Sequence, residues 1–196
     1  MADEVARALS TKIGEQMERL THLLSLVPSD RFSWRPDILD SSSLGGTPES
    51  RRSAGAGEVG TPPLLPLGEL LGHLLECLAG FCAALYKIDP LRLSHLAGLR
   101  DLAVNQFCDV HEASGRISQY RAHIAEGLAM LTDTDLAQTI PTVFAPAGEP
   151  ATAVLLGNLE HLINHKFQLF IYLRLLGVPV TSRDLYQFRE IDVKDR

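Results

Sequence analysis

The chain has 196 residues, long enough for one domain with a sizeable core. A net charge of −6, with no block of Lys and Arg, argues against nucleic acid or an anionic membrane surface as a partner. Hydrophobic residues make up 45% but aromatics only 6%, and with Leu and Ala abundant this favours packed helices over sheets.

The N-terminal run MADEVARALS is acidic and lacks an apolar core, so it does not read as a signal peptide. A first helix is expected over residues 3–26, where Val5, Leu9, Ile13, Met17, Leu20 and Leu24 recur at helical spacing before Pro28. Residues 38–66 are rich in Ser, Gly and Pro and nearly free of large apolar side chains. They are expected to form a mobile loop, nicked early by trypsin at Arg51 and Arg52. A second, strongly apolar helix is expected over 67–88, followed by an irregular stretch or short helix at 90–106. A third covers 112–131, with Ile117, Tyr120, Ile124, Leu128 and Leu131 facing inward. Residues 132–138 read as a helix-ending turn, and 139–150, with three prolines, as an extended loop or hairpin. The fourth helix spans 151–177 and is closed by Gly177 and Pro179. The tail 181–196 is polar and is expected to pack through Leu185, Tyr186 and Phe188. Glu76, Glu160, Lys166 and Arg174 interrupt the Leu-rich stretches, which therefore do not read as membrane spans. The expected architecture is all-α, a single four-helix bundle over 1–196 with long loops.

Cys77, Cys82 and Cys108 make an odd count and no metal-binding pattern, as expected of reduced thiols in a cytoplasmic protein. Cys77 reads as a small buried hydrophobe, and Cys108 and His111 as members of a connector or helix start.

The chemistry centres on the fourth helix. His161 and His165 are four residues apart, so they project from one face, one turn apart, and can hold one metal ion. Leu162 stands where a zincin protease has its glutamate. The polar stripe Asn158, His161, His165, Gln168, Tyr172 runs along a helix otherwise apolar almost all round. Such a stripe must be hydrogen-bonded, wet or metal-bound. A catalytic site needs a further ligand, and His73 on the second helix is the candidate. Its own stripe, Leu70, His73, Cys77, Gly80, Ala84, is small enough for close helix approach.

This pattern resembles the DinB-like family of four-helix-bundle metalloproteins, which includes the bacterial thiol-dependent S-transferases. The resemblance rests on His73, on His161 and His165 followed by Lys166 and Gln168, and on the ending Tyr172, Leu173, Arg174, Gly177, Pro179. The segment VPSDRFSWRP at 27–36 also fits the family's chain after its first helix. The connection at 38–66 is longer than the family's. The resemblance implies a three-histidine metal site and a small-molecule substrate, a low-molecular-weight thiol among the candidates, and leaves a homodimer open. Three imidazoles suit Zn, Ni, Fe or Cu, among which ligand type alone does not decide, and leave an open coordination position; the expected cofactor is a divalent transition metal, Zn or Ni. Such a metal either activates water, as in a hydrolase, or holds a thiol as thiolate. Gln168 or Asn158 is expected to orient a ligand imidazole, and Tyr172 to line the pocket. Glu76 and Glu160 are either acid–base groups or ordinary surface residues. The competing reading is a non-catalytic, stress-associated bundle with structural histidines.

Overall fold

The computed structural model describes residues 3–36, 64–143 and 145–186. Residues 38–63 of the expected loop, with Arg51 and Arg52, and Phe188 of the tail lie outside the described residues. In chain order the elements are helix α1 (Glu4–Ser25), helix α2 (Leu67–Ile88), and a 3-10 turn (Ser94–Leu96) leading into α3 (Ala97–Arg100). Then come α4 (Val110–Ala129), α5 (Asp133–Leu136), strands β1 (Thr139–Ile140) and β2 (Glu149–Pro150), α6 (Ala151–Leu175) and α7 (Ser182–Tyr186). The strands form a two-residue antiparallel hairpin, Thr139 opposite Pro150 and Ile140 opposite Glu149.

The four expected long helices are present. The third starts two residues earlier than its periodicity suggests, because the Asp109 side chain accepts from the Glu112 amide at 2.8 Å and caps it. The expected turn at 132–138 closes into a short helix, with Thr132 and Asp135 forming a capping box.

The long helices pack α2 against α6 and α4, and α1 against α4 and α6. The order around the bundle is therefore α1, α4, α2, α6, with α1 and α2 on a diagonal. The core is mostly leucine, including Leu20, Leu23, Leu71, Leu74, Leu78 and Leu162, all fully buried. Each such side chain contributes about 1.5–3 kcal/mol on leaving water. Helix α2 is long and apolar enough to cross a membrane by length and composition, but most of that stretch is buried inside the bundle.

Long-range partners fix the helix ends. The first-turn amide of Ala6 donates to Asp133 Oδ1 at 3.1 Å, so α5 caps α1 from across the bundle. The start of α2 is capped by the backbone after α1: Leu67 N–H donates to the Trp34 carbonyl and Gly68 N–H to the Phe32 carbonyl, both at 2.8 Å. Helix α6 ends on Gly177, whose φ of 79° is left-handed, the conformation glycine adopts without a Cβ penalty.

Among the described residues, one charge is buried in the core. Lys166 is 2% exposed; its Nζ donates to Gln16 Oε1 on α1 at 2.7 Å and to the Leu185 carbonyl on α7 at 3.5 Å. Burial, with Arg19 adding repulsion, pulls its pKa down to about 8. In the tail, Leu185 is buried and Tyr186 is exposed.

Candidate metal centre

Helix α2 carries His73 and helix α6 carries His161 and His165, and the packing of α2 on α6 brings the three rings together. His73 Nε2 lies 3.0 Å from His165 Nε2. The ring centroids are 5.2 Å apart for His73 and His161, 4.3 Å for His73 and His165, and 4.7 Å for His161 and His165. One nitrogen from each ring falls within 4.8 Å of the others. Zn–N bonds of about 2.0–2.1 Å at tetrahedral angles put ligand nitrogens roughly 3.3 Å apart. Small side-chain shifts therefore reach that spacing.

The partners behind the rings fix where the lone pairs point. Leu65 offers only a carbonyl, so the Tyr172 hydroxyl donates to it, at 2.9 Å. Tyr172 must then accept from Gln168 Nε2, at 3.1 Å. That orients Gln168 Oε1 toward His165 Nδ1, 3.0 Å away, so Nδ1 carries the proton and Nε2 the lone pair. His73 Nδ1 faces the Glu76 carboxylate at 2.9 Å and Asn105 Oδ1 at 2.7 Å. It too carries its proton, and its lone pair is again on Nε2. With both rings neutral, two lone pairs face each other at 3.0 Å, an arrangement that fits a cation between them. A proton bridges only two nitrogens, whereas His161 supplies a third. Burial and the facing His73 ring also hold the His161 and His165 imidazoles below their ordinary pKa, which disfavours protonation. The donor set suits a divalent transition metal.

Asn105 and its support are not visible in the sequence reading. Asn105 has a φ of 57°, a left-handed conformation sparse for any residue but glycine, though tolerated by asparagine. Its amide donates to the Gly72 carbonyl at 3.1 Å. A Cβ on Gly72 would lie 1.8 Å from the Gln106 carbonyl oxygen, so only glycine lets the connector lie this close to α2. Gly72, next to His73 in sequence, thus sets the approach that places Asn105 on the histidine.

Of the two candidates for orienting a ligand ring, Gln168 does so. Asn158 instead packs over Gly80, where a Cβ would meet its side chain at 3.3 Å. Tyr172 does not line the pocket as expected; it lies behind His165, its ring edge-to-face with Trp34 at 5.5 Å. The aromatic chain is drawn there because its hydroxyl needs a buried acceptor, which Leu65 provides. Glu76 has a defined role on His73, and Glu160 is exposed. His111 is exposed in the first turn of α4, and Cys108 is buried just before that helix.

A cavity of about 580 Å³ opens beside His161 between α2, α6 and the hairpin. Gly80, Ala84, Gly157 and Val154 give it small, apolar walls, and Lys87 and Glu149 supply charge. No cysteine is a ready nucleophile. Cys77 Sγ turns back to the His73 carbonyl at 3.5 Å, and burial, with Glu76 adding repulsion, raises its pKa to about 12. Burial likewise raises Cys82 to about 12 and Cys108 to about 11.

No protein-family model matches the sequence, and no curated protein matches it significantly. Among solved structures, the chain is similar to the crystal structure of a DinB-like protein, YjoA, from Bacillus subtilis. The TM-score is 0.58 at 18% sequence identity, over 93% of this chain and 99% of that one. With the four long helices and the near absence of strand among the described residues, that likeness establishes the architecture: the chain has the all-α, DinB-like fold.

Proposed function

We propose that the chain is a metal-dependent enzyme that transfers a low-molecular-weight thiol to an apolar electrophile. His73, His161 and His165 hold a divalent transition metal, Zn or Ni. The observation that carries this reading is the pair of Nε2 lone pairs facing each other at 3.0 Å, each fixed by a partner on the ring's far nitrogen.

When bound, the metal supplies a Lewis-acid centre that favours the thiolate form of a thiol. The choice of a thiol over water follows from the residues around the site. Glu76 is committed to His73 Nδ1 and Glu160 is exposed, so neither is poised as a base for a hydrolytic water. The three cysteines are protonated at neutral pH, so the thiol comes from outside the chain. Gln168 and Glu76 hold the ligand rings in one tautomer. The groove beside His161, with its small apolar walls, holds the electrophile. In the reaction the thiol gives its proton to solvent and its sulfur bonds to the electrophilic carbon. The leaving group departs with the electron pair of the bond it breaks.

The test is metal analysis of protein purified without a histidine tag, followed by assay of small thiols against a chromogenic aryl halide. One metal per chain at the triad and thiol-dependent product formation, both lost in His161→Ala, are expected. A folded, stable protein that takes up no metal at the triad would leave the non-catalytic bundle as the reading.

A further inference from the structure

A second group of ligand atoms lies at the other end of α2, outside the groove. His95 comes from the 3-10 turn after α2; His123 and Glu126 lie one turn apart on α4. We propose that His95 Nε2, His123 Nδ1 and the Glu126 carboxylate form a second divalent-metal site, independent of the triad.

Two observations carry it. First, His95 Nε2 and His123 Nδ1 are both sealed from solvent and have no hydrogen-bond partner. A buried nitrogen left this way costs about 1–3 kcal/mol, and here there are two, their rings 5.5 Å apart. Second, both face one carboxylate oxygen. Glu126 Oε2 is 3.9 Å from His95 Nε2 and 3.7 Å from His123 Nδ1. All three atoms fall within 4.8 Å of one another.

Those distances are too long for hydrogen bonds, so a proton on either ring does not satisfy the nitrogens as they stand. They are close to the ligand spacing of a metal site. Bonds of about 2.0–2.2 Å at tetrahedral angles put ligands roughly 3.3–3.5 Å apart. A few tenths of an ångström bring Glu126 to that spacing from each histidine, and the two ring nitrogens, within 4.8 Å, close by turning toward the ion. Glu126 is the member free to move, with its side chain 53% exposed. Two imidazoles and a carboxylate suit zinc or a similar transition ion. The exposed Glu126 side chain covers the two buried nitrogens, so the ion reaches them when that side chain swings aside.

The two sites are separate. Gly127, next to Glu126, lies under Leu85 and Leu96. Leu85 is twelve residues beyond His73 on the same helix, roughly 18 Å at 1.5 Å per residue.

The experiment is calorimetric Zn²⁺ titration of the full-length, tag-free apoprotein, with the metal count read by elemental analysis. Two ions per wild-type chain are expected. His161→Ala/His165→Ala should keep one ion, and Glu126→Gln and His123→Ala should each weaken that remaining site at least tenfold with unchanged circular dichroism. Retention of that ion in the double variant supports the second site even if no metal binds the triad. One ion only, abolished by the triad substitutions, would overturn the proposal. So would a second ion that is indifferent to both Glu126→Gln and His123→Ala, or one bound only at millimolar Zn²⁺.

Discussion

Both ends of α2 gather histidines, but they do so differently. At the triad, the far nitrogens of His73 and His165 are tied to Glu76, Asn105 and Gln168, and Gln168 is itself held by Tyr172. At the other end, His95 and His123 each present a nitrogen with no hydrogen-bond partner, and the acid facing both, Glu126, is half exposed. The first arrangement sets ring orientation before any ligand arrives; the second leaves it to the ligand. On the proposed reading, preorganisation of this kind is what separates the triad, as a centre for chemistry, from a site that only binds.

The largest effect that tests this contrast is removal of a triad ring. His165→Ala should lose metal binding at the triad by about a thousandfold or more, while far-UV circular dichroism stays unchanged because the leucine core holds the fold. Unfolding of the variant would mean that the triad is a structural staple. Acid should act on the same centre. Protons compete with metal at three rings, so release should be steep in pH. Because burial holds His161 and His165 below their ordinary pKa, the midpoint should lie in the acidic range. A flat affinity from pH 8 to pH 4 would point to carboxylate ligands.

Gly72→Ala tests the support from the connector. Its methyl cannot share space with the Gln106 carbonyl, so the connector must move and Asn105 must leave His73. A loss of about 2–4 kcal/mol in denaturant stability is expected, with weakened metal binding alongside. An unchanged midpoint would show the connector to be loosely held.

Lys166 is buried, satisfied by Gln16 and Leu185, and no acid among the described residues is paired with it. Its folded pKa is about 8, below that of the unfolded chain, so between those values the unfolded state holds more protons. The penalty for burying the charge is therefore fully present below pH 8 and relieved as pH rises through that window. Relative to Lys166→Met, the wild type should gain on the order of 2–3 kcal/mol between pH 7 and pH 10. No relative gain would mean that the ammonium stays charged in the fold.

The smallest effect is Gln168→Leu, which removes the partner of His165 Nδ1 but no ligand. A metal affinity lower by roughly 10–100-fold is expected. No change would remove the contrast between the two histidine groups.

The three triad histidines were legible in the sequence because helical spacing places two of them on one face, and the small stripe on the second helix marks a close approach for the third. Their support was only partly so. Gln168 and Asn158 lie on the same stripe, and periodicity cannot tell which meets a ring nitrogen. Glu76 looked like a surface charge because its partner is decided by the rotamer of His73. Asn105 belongs to a connector without periodicity, and its position depends on a missing Cβ 33 residues earlier. Lys166 read as a charge that interrupts an apolar run, yet α1 and α7 close over it. His123 and Glu126 carry no signal in the sequence, because His95 reaches them from an irregular turn.

The order of helices around the bundle governs when the triad can exist. Its ligands come from α2 and α6, and His73 and His165 are separated by 92 positions in the chain. A chain growing from its N-terminus has only one ligand until α6 is made, and one imidazole holds a transition metal weakly. On the proposed reading, metal uptake at the triad is then a late event, coupled to the docking of the last long helix. A nascent or truncated chain that stops short of His161 cannot form the triad. Loading of the triad thereby marks a bundle that has closed.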